Sequence, residues 1–149
     1  MEDVIQEFRL ERFELNVLSI ERTVIEKLVS LIRMSYETEL KEFLTKTRHL
    51  YDLYMTFNLV REFYNDDEKL PEMILMVKNA EHDSRFKDMY PLENRWHTAP
   101  LFLILDDPRI ENAYRVHFGV EFVYGKLPEF EDVKKIILEI QQALKRCDL

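Results

Sequence analysis

Apolar residues recur at helical spacing through most of the chain, and this pattern predicts a mainly helical fold. The first predicted helix begins at Ser19 or Thr23 and runs to about Tyr36. Thr23 and Glu26 have the spacing of a reciprocal capping box, which favours a start at Thr23 as much as one at Ser19. The apolar positions share one face of this helix; they are Ile20, Val24, Leu28, Leu31 and Ile32.

Further helices are predicted along the rest of the chain. One covers about residues 46–64, and another begins near Pro71. Asp106-Asp107-Pro108 predicts a helix start, because acidic caps and proline are typical of the first turn. That helix is expected to end at Gly125. Residues 128–146 have the clearest period of 3.6 and predict the last helix.

The segment Phe13–Leu18 alternates apolar and polar residues, which predicts a half-buried strand. A strand needs a partner for its backbone groups, and residues 4–12 are read either as a short helix or as a second strand. Residues 37–47 are expected to be partly helical. The predicted fold is therefore a single domain, mainly α (α+β), with about five or six helices and one or two short N-terminal strands.

Composition narrows the function classes. Of 149 residues only two are glycine and five proline, which favours long helices over tight hairpins. The net charge of −8 makes the chain a poor general binder of nucleic acid, although a local basic patch stays open. One cysteine, Cys147, excludes an internal disulfide and indicates a reducing compartment such as the cytoplasm. No apolar run is long enough to span a membrane, and the start lacks the features of a signal peptide.

Two helical segments carry polar groups within an apolar pattern. Lys27 could hold a phosphate as a point charge, and Asp52 could accept a proton or hold a metal. The alternative is ordinary surface chemistry, in which Lys27 is solvated and Asp52 pairs with Arg48 across one helical turn. His82, His97 and His117 lack metal-binding spacing and are interpreted as structural. The acidic pairs at 66–67 and 106–107 are interpreted as turn and cap residues.

The same segments resemble a known family. Phe13–Leu18 followed by Arg22-Thr23-Val24-Ile25-Glu26-Lys27-Leu28 resembles the strand and R-T-x-x-E-K-L segment of the AbiEii/AbiGii nucleotidyltransferase toxins. Arg48-His49-Leu50-Tyr51-Asp52-Leu53 is similar to the R-H-x-Y-D-L helix of that family. An acidic helix start, an aromatic-glycine end, a P-x-F sequence and a final helix complete the resemblance, which runs from about residue 10 to 145.

The resemblance implies an enzyme that transfers a nucleotide from a nucleoside triphosphate (NTP) to an acceptor such as tRNA, using Mg²⁺. It also implies a role in a toxin–antitoxin or phage-defence system of the abortive-infection kind, with a cognate antitoxin as partner. Asp52 would be the catalytic carboxylate. The triphosphate would be bound by Lys27, Arg48 and His49, and these would be supported by Arg22, Glu26 and Tyr51.

The chain departs from the family at one point. Members carry a nucleotidyltransferase core with a Gly-Ser turn and a D-x-D carboxylate pair that binds Mg²⁺, and this sequence has no Gly-Ser dipeptide. We therefore expect a truncated, split or mis-started member. In that case residues 1–18 are a remnant of the core, residues 19–149 are the helical C-terminal part, and no metal ligand is assigned. Such a chain is expected to have little activity without its missing N-terminal half.

Two other interpretations stay open. The chain could be a non-enzymatic helical interaction module that binds an antitoxin or forms a homodimer through an exposed strand edge. It could also be a helical bundle without a site, in which case Lys27 and Asp52 should point apart into solvent.

Overall fold

The computed structural model describes residues 18–91, 93–118 and 125–149. Within these ranges the chain forms α-helices and two 3-10 turns, and no strand. The mainly helical class is therefore confirmed. The predicted strand Phe13–Leu18 lies outside the described residues except for Leu18, which is not in a strand, and residues 4–12 lie outside them as well.

Eight helices account for most of the described residues. Five of them have nine residues or more and form the bundle, and three are single turns. In chain order they are α1 (Ile20–Ser35), α2 (Lys41–Thr45), α3 (Arg48–Thr56), α4 (Arg61–Tyr64), α5 (Lys69–His82), α6 (Leu101–Ile104), α7 (Pro108–Phe118) and α8 (Phe130–Arg146). The 3-10 turns cover Phe57–Leu59 and Trp96–Thr98.

Helix α1 begins where Ser19 caps it. The Ser19 backbone is extended, and its Oγ accepts a hydrogen bond from the Arg22 backbone N–H at 3.1 Å. The predicted start at Thr23 is wrong, because Thr23 lies within the first turn and its hydroxyl donates to the Ser19 carbonyl at 3.0 Å. The capping box is therefore not formed, and Glu26 pairs with Arg22 instead.

The predicted helix over residues 46–64 is divided by the 3-10 turn at Phe57–Leu59. Thr56 contributes to this break, since its hydroxyl donates to the Asp52 carbonyl at 2.7 Å, a contact that bends helices. The backbone then leaves the helical region at Val60, where φ is −118°. The break leaves Leu59 on the surface although it lies in an apolar pattern.

The core lies between α1, α3, α5 and α8. Helix α3 packs against both α1 and α8, and α1 also contacts α5. Each long helix buries one stripe; that of α8 is Phe130, Val133, Ile137, Ile140 and Leu144. None of the helices in the described ranges combines the length and apolar character needed to cross a bilayer.

The helix predicted to end at Gly125 is described only as far as Phe118, because residues 119–124 lie outside the described ranges. Gly125 itself has a φ of +87°, a left-handed conformation that favours glycine.

Candidate functional site

Lys27 and Asp52 form an ion pair between α1 and α3. The Lys27 Nζ donates to Asp52 Oδ2 at 2.7 Å, and the two side chains are 28% and 20% exposed. The interpretation in which they point apart into solvent is therefore wrong. Ser19 precedes Lys27 by eight residues, Val60 follows Asp52 by eight residues, and both line one groove. The two segments therefore run antiparallel. Antiparallel packing explains why residues 25 positions apart in sequence meet.

His49 stands beside this pair on α3. Its Nδ1 is 4.0 Å from Asp52 Oδ2 and has no hydrogen-bond partner among the described residues. Burial by itself would raise the pKa of Asp52. The side chains of His49 and Lys27 and the charge of Arg48 outweigh burial and hold that pKa below its usual value. The carboxylate is therefore ionised at neutral pH and loses its charge only when the pH falls through this lowered pKa.

The lowered pKa affects which role Asp52 can take. An efficient general base has a pKa near the working pH, and a carboxylate with a lowered pKa is a weak one. The same charge favours an electrostatic role, as the partner of a cation such as the Lys27 ammonium. The arrangement is thus better suited to positioning charge than to removing a proton.

The remaining predicted site residues, Arg22, Glu26 and Tyr51, lie around the Lys27–Asp52 pair and contact other helices. Arg22 donates to Glu26 Oε1 at 2.7 Å, and its Nη1 also lies 3.0 Å from Met76 Sδ, so this pair sits one turn from Lys27 and faces α5. Tyr51 packs on Phe118 with ring centroids 4.9 Å apart, which directs it toward α7. Lys27, Asp52 and His49 therefore share one site with the charge of Arg48, whereas Arg22, Glu26 and Tyr51 form its surroundings.

A family model described as nucleotidyl transferase AbiEii toxin, type IV toxin–antitoxin system, matches residues 1–135. The chain belongs to the AbiEii nucleotidyl transferase toxin family. The matched residues contain α1 and α3 and therefore the whole Lys27–Asp52 site. No curated protein and no solved structure matches the chain. Membership in a type IV toxin–antitoxin family also implies an antitoxin partner.

Nucleotidyltransferases of this kind generally use an NTP and a divalent metal. Lys27 and His49 offer nitrogen donors that suit a triphosphate. For the metal, the described residues contain no group of three or more ligating side chains. Asp52 is one carboxylate next to a lysine, and such a site fits Mg²⁺ poorly.

A pocket that the sequence did not predict lies beside the Lys27–Asp52 site. It is lined by Thr45, Arg48, His117 and Phe118, where α2, α3 and α7 meet. The Nδ1 of His117 lies 3.1 Å from the hydroxyl of the buried Thr47, a contact that agrees with the structural role predicted for this histidine. Only the fold brings residues 70 positions apart into contact, so no sequence signal pointed to the pocket.

A larger groove, of about 520 Å³, lies between the start of α1 and helices α4 and α5, and it was also missed. Its apolar lining includes Met73, Met76 and the 74% exposed Leu59. The charged side chains that line it are four carboxylates and one lysine; they are Glu21, Glu62, Asp66, Glu72 and Lys69. Leu59 lies next to Val60 in an apolar stretch, and such a pattern indicates burial rather than exposure.

Proposed function

We propose that the chain provides the helical half of a nucleotidyltransferase centre, which transfers a nucleotide from an NTP to an acceptor such as tRNA. The observation that carries this proposal is the contact of Lys27 with Asp52 across α1 and α3. Family membership supports the reaction class. Lys27 binds the triphosphate, His49 and Arg48 assist it, and Asp52 is the carboxylate of this half.

Asp52 pairs with the same lysine that would hold the phosphate. Binding therefore exchanges one partner of Lys27 for another: the Nζ leaves Asp52 Oδ2 and donates to a phosphate oxygen. The exchange keeps the ammonium paired throughout, which limits the cost of moving a half-buried charge. It also frees the Asp52 carboxylate at the moment when the nucleotide arrives.

Nucleotide binding tests this proposal. Removing a charged hydrogen bond costs about 1.5–3 kcal/mol, so Lys27→Ala should weaken binding of a fluorescent NTP roughly 10- to 100-fold. Asp52→Asn removes the competing charge and should bind the NTP at least as tightly when measured in EDTA. Fluorescence titration at fixed ionic strength gives both affinities.

Lys135→Ala is the matched control, because Lys135 is also a helical lysine in an ion pair, with Asp132 at 3.0 Å, but on α8. Its affinity should equal that of the wild type. Equal losses in the Lys27 and Lys135 variants would reject the site.

The described site holds a single carboxylate, and we propose that the chain alone transfers little or no nucleotide. Incubation with labelled NTP, Mg²⁺ and total tRNA should leave the RNA unlabelled. Robust incorporation that depends on Lys27 would contradict this inactivity while supporting the site itself.

A second candidate function, a docking surface for another protein, is favoured by the groove around Leu59. The groove combines exposed apolar atoms with an excess of carboxylates. A second copy of this acidic chain would bring like charges together, whereas a basic amphipathic segment would complement them. We propose such a segment, as the implied antitoxin could supply, rather than a homodimer.

Binding of a synthetic amphipathic Lys-Leu helix tests the docking surface. Reversing the charges of Glu62 and Glu72 to lysine should weaken its binding roughly tenfold or more, since like charges across an interface are unfavourable. Reversing Glu111 and Glu131, which do not line the groove, controls for net charge. Fluorescence anisotropy reports the affinity, and light scattering should show a monomer. A salt-resistant dimer that Leu59→Glu dissolves would instead identify the groove as a homodimer interface.

A further inference from the structure

One ring nitrogen of His49 lies inside the protein without a hydrogen-bond partner among the described residues. This nitrogen, Nδ1, is buried, although the side chain as a whole is 23% exposed. A buried polar atom without a partner costs free energy, and in a native protein it calls for a structural or functional reason. Asp52 Oδ2 lies 4.0 Å from this nitrogen, on a residue three positions along the same helix.

Two nitrogens approach this carboxylate oxygen from different helices. Lys27 Nζ, on α1, donates to Asp52 Oδ2 at 2.7 Å, whereas His49 Nδ1, on α3, stays 4.0 Å away. Hydrogen bonds from nitrogen to oxygen are about 2.7–3.2 Å long, so the imidazole lies about 1 Å beyond bonding distance. The lysine is therefore the partner of Oδ2, and the histidine is the neighbouring donor.

Binding of a triphosphate by Lys27 changes which donor Asp52 needs. Once the Nζ donates to a phosphate oxygen, the carboxylate loses its hydrogen bond from α1 in a site that is mostly shielded from water. A charge that is largely buried is costly without a partner. A small movement of the His49 ring toward Oδ2 supplies one, because residues three apart on a helix are neighbours.

The burial of Nδ1 also decides which ring nitrogen can meet a ligand. An atom without exposed surface does not contact a phosphate that enters from solvent, so Nδ1 is placed for Asp52 rather than for the nucleotide. A neutral imidazole carries its proton on one nitrogen, and a hydrogen bond to a carboxylate fixes the proton on the bonded one. A bond to Asp52 would therefore set the His49 ring in its Nδ1–H form.

We propose that His49 is the positioning residue that takes over the Asp52 carboxylate when a triphosphate draws Lys27 away. The His49 Nδ1–H then donates to Asp52 Oδ2, and both members of the original ion pair keep a partner. The inference rests on the proposed function and deepens it, because His49 acts through Asp52 instead of contacting the triphosphate. Nucleotide binding thus becomes an exchange among three residues.

A double-mutant cycle distinguishes action through Asp52 from direct contact with the nucleotide. Affinity for a fluorescent analogue of ATP is measured in EDTA at fixed ionic strength. His49→Ala should weaken binding roughly three- to tenfold, as expected for one lost hydrogen bond in a partly exposed site. In an Asp52→Ala background the same change should alter the affinity by less than about twofold, because no carboxylate is left to be held.

Conservative variants give a second readout and guard against loss of folding. The amide nitrogen of asparagine is bonded to Cγ, like Nδ1 of histidine, whereas that of glutamine lies one atom farther from the backbone. His49→Asn should therefore bind the analogue about as well as the wild type, and His49→Gln should resemble His49→Ala. Circular dichroism checks the fold of each protein.

His82→Ala is the matched control. His82 also lies beside an aspartate, with its Nδ1 3.3 Å from Asp83 Oδ1, but it is exposed at the end of α5. Its removal should leave the affinity for the analogue unchanged.

Nitrogen NMR of the imidazole rings observes the exchange directly. In the wild type a hydrogen-bonded Nδ1–H signal of His49 should appear only when the ATP analogue saturates the site. The Lys27→Ala variant should show this signal without nucleotide, because Asp52 has already lost its lysine. A histidine with a merely structural role would give the same ring spectrum in all of these states.

Several results would overturn the inference. A loss in His49→Ala that persists in the Asp52→Ala background, or rescue by glutamine rather than asparagine, would assign His49 Nε2 to the triphosphate. A ring spectrum unchanged by nucleotide and by Lys27→Ala would also reject the exchange. If Lys27→Ala weakens binding while His49→Ala does not, the inference fails and the proposed function stands. If Lys27→Ala leaves binding unchanged, the proposed function fails.

Discussion

Arg33 and Glu81 form an ion pair in the interior, between α1 and α5. The Arg33 Nη1 donates to Glu81 Oε2 at 2.6 Å, both side chains are less than a tenth exposed, and the guanidinium lies 3.8 Å from the centre of the Phe86 ring. The Arg33 Nε has no hydrogen-bond partner among the described residues. Each member of this pair therefore depends on the other.

Glu81→Ala should destabilise the protein by about 3–5 kcal/mol, because it leaves the Arg33 charge buried without a counter-ion. Replacing both residues by methionine should be close to neutral or stabilising, since no charge is then buried. Urea denaturation followed by circular dichroism measures both.

Asp132→Ala is the surface control, because it removes the exposed partner of Lys135 and should cost less than about 1 kcal/mol. A cost for Glu81→Ala as small as that of the control would mean that water reaches Arg33.

Among individual residues, the sequence predicted Lys27, Asp52 and His49 as site residues, and the fold brings these three together. Spacing along α3 also offers Arg48, four residues away, as an alternative partner for Asp52. The Asp52 carboxylate accepts a hydrogen bond from Lys27 Nζ on the neighbouring helix at 2.7 Å, and the charge of Arg48 also lowers its pKa. Pairing within one helix can be predicted from spacing, but pairing between helices depends on their register, which the sequence alone does not set.

Among the elements, α1 shows how a single side chain selects a helix start. Ser19 and Thr23 were both possible caps, and Ser19 is the one used. Ser19→Ala should therefore destabilise the protein by about 1 kcal/mol, because one N–H at the helix start loses its acceptor. Thermal or urea unfolding measures the loss.

The Thr23→Ala variant distinguishes a helix start at Ser19 from a start at Thr23. The Thr23 hydroxyl only returns to the Ser19 carbonyl within the first turn, so its removal should cost less than about 0.5 kcal/mol. The reverse order of the two effects would place the cap at Thr23.

Helices with one clean apolar stripe were predicted well, and α8 follows its pattern closely. The predicted helix over residues 46–64 was wrong in its continuity. Its apolar periodicity hid the break at Phe57–Leu59, which arises from the Thr56 hydroxyl contact and the backbone turn at Val60. Hydrophobic periodicity records which side is buried, and it is less sensitive to a local change in backbone winding.

Across the whole molecule, a pocket and a groove of opposite charge lie on different parts of the surface, the pocket where α2, α3 and α7 meet and the groove between α1, α4 and α5. The Arg48–His117 pocket is cationic, and the charges of Lys27 and Asp52 cancel. The groove near Ser19 and Leu59 is acidic. The groove lies eight residues along α1 from Lys27, or about 12 Å at 1.5 Å per residue. A basic segment docked in the groove would therefore not overlap the Lys27–Asp52 pair.

The sequence alone determined the mainly helical class, the long helices, the family and the residues with useful chemistry. These follow from periodicity and local motifs, which depend on near neighbours along the chain. Tertiary structure decided that Lys27 reaches Asp52, that Thr47 orients His117 beside Arg48, and that the break after α3 exposes Leu59 over an acidic groove. Each of these requires two helices to pack in one particular register, and that register results from the burial of all the apolar stripes together.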